Sequence, residues 1–398
     1  MAVESTVRWF HSEMAGAPVL AKDMGDLVAI LDACLVDGFG AKTPDGDKIT
    51  VAGGVATVEF SGGHDFEPFA VIEVSGATPS GLNDVWRVTS ATATSFTFDC
   101  PAITDGIATG AISVRRPTSG YWEKAFSGVN KGAYRSTHPD STGFFLRVDS
   151  SVNREFSDVL GYEAMTGIDS GTQPFPSPSD ESYMRWSTVN STSSSYSGPW
   201  WAVIDDGRFF WFISDYAVDY LYRHSICYQF GDIAKASTQD LYACVIGAQN
   251  GSNVSRPYYS TYLHTANVSG SVYGLYFARA VNDPGTGPDA YSMRCGAGVN
   301  QISDNFLDAP NPAHPGITFS GPLLAISHNT RVVRGVVPGL LTAQCSESEL
   351  IDNPARIGRF FLVVPPSTLE DRPVFVTGMS TGSITNMPIG IDIMGPWR

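Results

Sequence analysis

Residues 198–213, GPWWAVIDDGRFFWFI, decide the fold of this chain, because two long apolar runs flank a single turn. Asp206-Gly207 is a strong signal for a two-residue hairpin of type I′. An ordinary half-exposed hairpin alternates apolar and polar side chains. Here both strands are apolar on both faces. The stretch is therefore either a stacking platform for a ligand such as a sugar, or a hairpin that is buried on both sides.

The predicted register favours burial. It pairs Val203 with Phe210 on one face and Asp205 with Arg208 beside the turn, where the two charges attract. A sugar platform needs polar groups beside its aromatic rings, and these faces carry none before the turn. We expect one face on the domain core and the other under a second layer or a neighbouring subunit. The candidate assembly surface is Trp200, Trp201, Phe209, Phe210, Trp211 and Phe212.

One helix is predicted near the start of the chain, over residues 24–36 within DMGDLVAILDACLVDGF. Asp23 is a candidate N-cap, and Gly38 follows the last apolar position, where helices commonly end. The apolar positions repeat at helical spacing: Leu27, Ile30, Leu31, Cys34 and Leu35.

Residues 49–116 form a separate unit in which short β-branched and aromatic runs alternate with Gly, Asn, Asp and Pro. Five such strands predict a small sandwich or barrel. The unit is inserted in a larger β-rich domain, residues 1–48 and 117–398. No alternation of strand and helix indicates a parallel sheet. The predicted fold class is mainly β, an antiparallel sandwich or barrel, with one N-terminal helix and an inserted small β-domain.

The charge of the chain excludes several classes of partner. A formal net charge of −15 opposes binding to nucleic acid and to an anionic membrane. No apolar stretch reaches the length of a membrane span, and no secretory signal opens the sequence, so we expect synthesis in a cytosol. The cysteines form no metal-binding motif and are predicted to be buried free thiols.

The chemical motifs are weak. Residues 378–382, GMSTG, match a nucleophile elbow, but no helix and no histidine follow Ser380. The histidines show no metal-ligand spacing. Acidic turns leave a bound calcium ion open, and distant carboxylates leave a glycoside hydrolase open. We expect no enzymatic activity, no catalytic residue, no cofactor and no metal.

Several segments resemble a group of structural proteins of tailed bacteriophages and prophages. They are VRWFHSEMAGAPVLAKDMGDLVAILDACLVDGFG at residues 7–40, YWEKAFSGVNKGAYRS at 121–136, FFLRVDSS at 144–151, GYEAMTGIDSGTQPFP at 161–176 and YQFGDI at 228–233. The inserted unit is similar to small β-modules of phage tail and fibre proteins, with Asp84 where the usual pattern has glycine.

The resemblance implies a virion component, made in the host cytoplasm and present in several copies. Its partners would be copies of itself and other phage structural proteins. A tail or tail-associated position is the main prediction, and a capsid decoration protein is a close alternative. A receptor-binding protein that contacts host surface glycan is a second alternative, and a depolymerase is a third.

Overall fold

The structure is a computed structural model of the 398-residue chain. It describes residues 7–21, 23–175, 184–187, 200–217, 223–249, 273–279, 289–293, 318–320, 324–327, 332–344, 361–364, 373–380 and 386–398.

Strands dominate the described residues. In chain order they are β1 Arg8–His11, β2 Phe39–Lys42, β3 Lys48–Ala52, β4 Val55–Glu59, β5 Val71–Ser75, β6 Val85–Ala91, β7 Ser95–Asp99, β8 Gly106–Thr109, β9 Ser113–Arg116, β10 Trp122–Gly128, β11 Lys131–Ser136, β12 Phe145–Asp149, β13 Phe156–Gly167, β14 Ser170–Phe175, β15 Arg185–Ser187, β16 Trp201–Asp205, β17 Phe209–Ala217, β18 Arg223–Asp232, β19 Ala234–Lys235, β20 Cys244–Gln249, β21 Tyr273–Phe277, β22 Asp289–Met293, β23 Thr318–Ser320, β24 Leu324–Ser327, β25 Val333–Val336, β26 Leu340–Gln344, β27 Phe361–Val364, β28 Val374–Ser380 and β29 Asn386–Asp392.

The helical elements of the described ranges are few and short. They are α1 Asp26–Leu31, a π-helical continuation Asp32–Asp37, and two 3₁₀ turns, Asp45–Asp47 and Ser80–Leu82. No helix among the described residues is long and apolar enough to cross a membrane.

The predicted hairpin lies in the middle of the main sheet. β17 pairs antiparallel with β16 on one side and β18 on the other. β1 adds beyond β16, and β20 and β21 add beyond β18. β10 to β13 form an antiparallel run, and β15 pairs with both β13 and β20. The C-terminal strands β26, β29, β28 and β27 form another antiparallel set.

The second sheet lies entirely within residues 39–116. Its order is β2-β9-β5-β6-β7-β4-β3-β8, and its strands enclose a hydrophobic cluster of their own that includes Ile49, Trp86 and Phe98. Strand burial alternates as a half-buried sheet requires, for example in β3 and β4. The sheet has more strands than the five predicted, and β2 adds residues that precede position 49. The division of the chain into domains stays a prediction.

The small sheet is anchored to the main body by its loop 65–69 and by Arg87. The Arg87 guanidinium donates to the backbone oxygens of Phe69 (2.8 Å) and Ile393 (3.2 Å), which belong to the small unit and the main body respectively. Trp9 Nε1 donates to Phe69 O at 3.3 Å, and His11 Nε2 lies 3.4 Å from Glu67 Oε2. Burial lowers the pKa of Arg87 to about 10.

The N-terminal helix is present, with a correction at its start. Gly25 (φ 94°) precedes α1, and no side chain caps the first turn. Asp23 is not the N-cap, because Gly25 holds that position and the Asp23 side chain makes no capping hydrogen bond to the first turn. The prediction rested on residue type, since Asp is a common N-cap. The turn before the helix instead needs a positive φ at Gly25, which glycine adopts readily. The helix continues in π form to Asp37 and ends at Gly38 (φ 72°), as predicted.

The mainly β, antiparallel fold class with one N-terminal helix is confirmed. A single parallel contact, Ser225 with Met379, joins β18 to β28 among the described strands. The predicted burial of thiols holds for the described cysteines, which are Cys34, Cys100, Cys227 and Cys244. Cys295 and Cys345 lie outside the described residues.

Candidate functional site

The six aromatic residues of the candidate assembly surface lie inside the chain. Trp200 is 3% exposed, and the other five, Trp201, Phe209, Phe210, Trp211 and Phe212, are 0% exposed. Burial on both faces is therefore what the chain itself provides, without a neighbouring subunit. The placement of an assembly surface at these residues is corrected, since none of them presents apolar area to a partner in the folded chain.

The two faces of the hairpin are covered by different segments of the chain. On one face Phe210 packs edge-on against Trp122, with ring centroids 5.4 Å apart, and Phe212 stacks on Trp186 at 5.9 Å. On the other face Trp211 Nε1 donates to Pro338 O at 3.0 Å, and Phe209 meets Trp397. Sequence reasoning predicted two covering layers but had no signal for which segments supply them.

The turn of the hairpin differs from the predicted type I′ turn. Gly207-Arg208 forms the loop, because the backbone N–H of Asp206 donates to Phe209 O at 3.1 Å. Gly207 has a φ of 86° and Arg208 does not, a pattern of type II′ rather than type I′. The partner of every residue shifts by two, so Val203 pairs with Phe212 and Asp205 with Phe210.

Side-chain hydrogen bonds explain the shifted turn. Asp206 Oδ1 accepts from the backbone N–H of Arg208 (3.0 Å) and of Phe209 (2.8 Å). Asp205 Oδ1 accepts from the backbone N–H of Gly207 at 2.7 Å. These two side chains accept the backbone N–H groups of the turn. Asp206 therefore pairs with Phe209 at the end of the strands and is not a loop residue.

A buried carboxyl group is the most unusual polar feature of this region. Asp205 is 0% exposed and accepts a 2.6 Å hydrogen bond from Trp122 Nε1. It lies opposite Arg8 of β1 in the strand register. Burial, with a smaller contribution from the charge of Asp206, raises the pKa of Asp205 to about 7. Sequence reasoning missed this group because acidic residues at turns are usually solvated.

Asp206 and Arg208, the charged residues that follow Asp205 at the turn, form ion pairs with other residues. Arg398 Nε lies 3.0 Å from Asp206 Oδ2, and Arg208 Nη1 lies 3.6 Å from Asp140 Oδ2. The predicted cross-strand pair of Asp205 with Arg208 is therefore wrong, because the shifted register separates them. Next to the turn, burial and then the charge of Arg208 lower the pKa of His138.

The groups around Asp205 come from several segments of the chain. Asp205 is 0% exposed, accepts from Trp122 of β10 and lies opposite Arg8 of β1, while Arg398 contacts the next residue, Asp206. In the described part of the chain, no group of three His, Cys, Asp or Glu side chains is placed to hold a metal ion. The expectation of no catalysis stays a prediction.

The structure also places the GMSTG motif. Ser380 is the last residue of β28 and pairs with Asn386, the first residue of β29. The chain therefore returns as an antiparallel strand, whereas a nucleophile elbow requires a strand followed by a helix. That Ser380 is not a nucleophile stays a prediction.

Exposed apolar side chains gather elsewhere, around Asn130. Val129 is 85% exposed, Val152 is 56% exposed and Met24 is 45% exposed. Asn130 brings their loops together, since its backbone oxygen accepts from Ser150 N–H at 2.9 Å and its side chain lies against Gly25. We call Met24, Val129 and Val152 the loop patch. Exposed clusters of large apolar residues are typical of contact surfaces.

The pair of Arg398 with Asp206 gives a first prediction. Both side chains are mostly buried, at 13% and 5% exposure. Arg398→Ala leaves Asp206 buried without this cation, so we expect the free energy of unfolding to fall by about 2 to 3 kcal/mol. Chemical denaturation measures the change. Arg154→Ala, which removes an arginine for which no ion pair is seen among the described residues, is the control; an equal effect of the two variants would contradict the prediction.

Comparisons with known proteins add little to this geometry. No known protein family matches the chain, and no curated protein is similar to it. Among solved structures, the phage phi92 endosialidase is similar at a TM-score of 0.18 and 11% sequence identity, over 90% of this chain and 71% of that one. A TM-score at this level does not show a shared fold, so neither the architecture nor the activity of the endosialidase transfers to this chain.

Proposed function

We propose that this chain is a structural component of a tailed bacteriophage virion, in the tail or associated with it, and present in several copies. The observation that carries the proposal is the placement of the segments that resemble phage structural proteins. Residues 7–40 supply β1 and α1, residues 121–136 supply β10 and β11, and residues 144–151 supply β12. These segments pack together instead of lying apart.

Specific contacts join these segments. Tyr134 Oη donates to Asp32 Oδ1 at 2.8 Å and also lies 3.2 Å from Val28 O, so β11 is tied to α1 and its π-helical continuation. Lys124 Nζ lies 2.7 Å from Asp32 Oδ2, which ties β10 to the same helix. β11 and β12 pair over five registered positions from Lys131 to Arg135. A resemblance spread over separate stretches of sequence thus corresponds to one packed unit.

We assign the contact with neighbouring proteins to the loop patch, because the hairpin is buried inside the chain. A chain with a net charge of −15 resists association with other acidic proteins except where apolar or complementary surface is available. The three exposed side chains of the loop patch offer such apolar surface on three neighbouring loops. A decoration protein on the capsid would use the same contact, so the loop patch does not distinguish a position in the tail from one on the capsid.

Immunogold electron microscopy of purified particles tests the proposal. Gold along the tail supports a tail component, and gold restricted to the tip favours the receptor-binding alternative. Gold over the head favours a decoration protein. If no gold binds intact particles and the chain is also absent from disrupted ones, the virion proposal is wrong.

The loop patch has its own test. Val129→Asp places a charge at the most exposed apolar side chain, so we expect incorporation into particles to fall about tenfold or more while the free energy of unfolding stays within about 0.5 kcal/mol of wild type. Val332→Asp changes a valine that is 43% exposed and lies away from the loop patch, so it serves as the matched control. Equal incorporation of the two variants would remove the loop patch from the proposal.

A further inference from the structure

The neck of the inserted unit is closely packed against the N-terminal loop of the main body. We call β2 and β9 the neck, because the chain enters the unit by β2 and leaves it by β9, and the two strands pair with each other. Gly40 of β2 has a φ of 71°, and a Cβ atom added to it would lie 2.5 Å from Ala15 O. Gly16 faces Gly40, since a Cβ atom on Gly16 would lie 3.0 Å from Gly40 Cα. Glycine at these positions therefore permits a close approach of the two backbones.

The carboxylate of Asp65 ties the neck to the same loop of the main body. Its Oδ2 accepts a hydrogen bond from the backbone N–H of Ala15 and another, at 2.8 Å, from Arg116 Nη2. Ala15 precedes the inserted unit, and Arg116 is the last residue of β9. Lys42 Nζ of β2 lies 3.9 Å from Asp65 Oδ1. One side chain of the inserted unit thus contacts the body and both strands of the neck.

Arg116 is buried where the neck meets the main body. Its side chain is 1% exposed, and its guanidinium lies 4.7 Å from the ring centroid of Phe66 and 5.8 Å from that of Phe39. Phe39 packs in turn against Phe10 of β1, with ring centroids 5.6 Å apart. A buried guanidinium that loses its carboxylate partner is left as an uncompensated charge. A movement of the neck that separated Arg116 from Asp65 would therefore be unfavourable.

We propose that the inserted unit is a rigid arm of the main body, held in one orientation by the packed neck and by Asp65. Units joined by small polar interfaces usually move relative to each other. Rotation at this neck would have to break both the close backbone packing and the buried ion pair, and closely packed protein interiors deform little. The hydrogen bonds of Arg87 with Ile393 O and of Trp9 with Phe69 O restrain the same orientation.

A rigid arm gives the chain a fixed spacing between its two sheets. Any protein that contacts the inserted unit is then held at a constant distance and angle from the loop patch. In an assembly of several copies, each chain sets this spacing for itself. The spacing role rests on the proposed virion function, whereas the rigidity is a property of the single chain in solution.

Hydrogen exchange of the Ala15 amide tests the rigid arm, because this N–H belongs to the main body and its acceptor, Asp65, belongs to the inserted unit. In the wild-type chain we expect this amide to be as well protected as the amides of β1. Gly40→Ala places a Cβ atom against Ala15 O, so exchange at Ala15 should become about tenfold faster or more.

Gly53→Ala is the matched control for Gly40→Ala. Gly53 also has a positive φ, 61°, but a Cβ atom there meets no described atom within 4 Å. The two substitutions therefore share the backbone strain and differ in the close contact. Equal exchange of Ala15 in the two variants, or an unprotected Ala15 amide in the wild-type chain, would overturn the proposal.

Asp65→Ala provides a second variant, which removes the carboxylate without adding a steric clash. Its control is Asp45→Ala, because Asp45 accepts from the backbone N–H and the Oγ of Ser61 within the inserted unit. In ¹⁵N relaxation of the full chain, the inserted unit and the body should share one rotational correlation time in wild type and in Asp45→Ala. Asp65→Ala should give the inserted unit a shorter one, while the paired amides of β4 and β7 stay protected and show that the unit remains folded.

Separate tumbling of the two parts in the wild-type chain, or one shared correlation time in Asp65→Ala, would also overturn the proposal. The virion proposal fails separately, by the absence of the chain from particles, whatever the outcome of these solution measurements.

Discussion

Replacing Trp211 by alanine should lower the free energy of unfolding by about 4 kcal/mol. The side chain is fully buried on one face of the hairpin, and its Nε1 donates to Pro338 O at 3.0 Å. The substitution opens a cavity in the middle of the hairpin and leaves Pro338 O without this donor. Urea denaturation followed by circular dichroism measures the change.

Two control variants sharpen the result. Trp211→Phe retains most of the ring and loses only the N–H donor, so it should cost less than half as much as alanine. Val129→Ala changes a side chain that is 85% exposed and should leave stability within about 0.5 kcal/mol of wild type. If Trp211→Ala behaved like Val129→Ala, the hairpin would not be the core of the molecule.

The pH dependence of stability should reveal the buried Asp205. Its pKa rises from 3.8 to about 7 in the folded chain, mainly through burial. The folded state therefore holds this proton more tightly than the unfolded state does. The contribution of Asp205 to stability is complete below about pH 4 and is lost as the pH rises toward 7, by about 4 kcal/mol in total.

Asp205→Asn isolates this effect from the other titrating groups. Asparagine keeps an oxygen acceptor for Trp122 Nε1 and Gly207 N–H and does not ionise. We expect the difference in stability between variant and wild type to move in favour of the variant by about 4 kcal/mol between pH 4 and pH 8. Thermal or urea unfolding at a series of pH values gives this difference. A constant difference over that range would contradict the assignment of the raised pKa to Asp205.

Asp149→Asn is the contrasting control, because the pKa of Asp149 is lowered to about 2 despite its burial, by hydrogen bonds from Ser151 and Lys131. Its stabilising contribution is present above pH 4 and is lost as the pH falls toward 2. Asp149→Asn should therefore destabilise the chain at neutral pH. Its difference in stability from wild type should change between about pH 4 and pH 2, whereas that of Asp205→Asn changes between about pH 4 and pH 8. The two carboxyl groups differ because Asp149 has cations beside it, Lys131 at 3.0 Å and Arg147 at 2.8 Å.

The sequence by itself determined the local pattern of this protein. Alternating and continuous apolar runs determine the strands, the helical spacing of Leu27, Ile30 and Leu31 determines the helix, and Gly38 determines where the helix ends. The apolar character of both faces of the hairpin also determined that both would be buried. These features depend on neighbouring residues, which a linear pattern contains.

Only the tertiary structure decided which segments cover the hairpin, and this overturned the prediction of an assembly surface there. Pro338 and Trp397 are distant from the hairpin in sequence, and no local pattern links them, or the nearer Trp186, to the hairpin. The raised pKa of Asp205 belongs to the same class. It depends on burial that arises only when separate parts of the chain pack together.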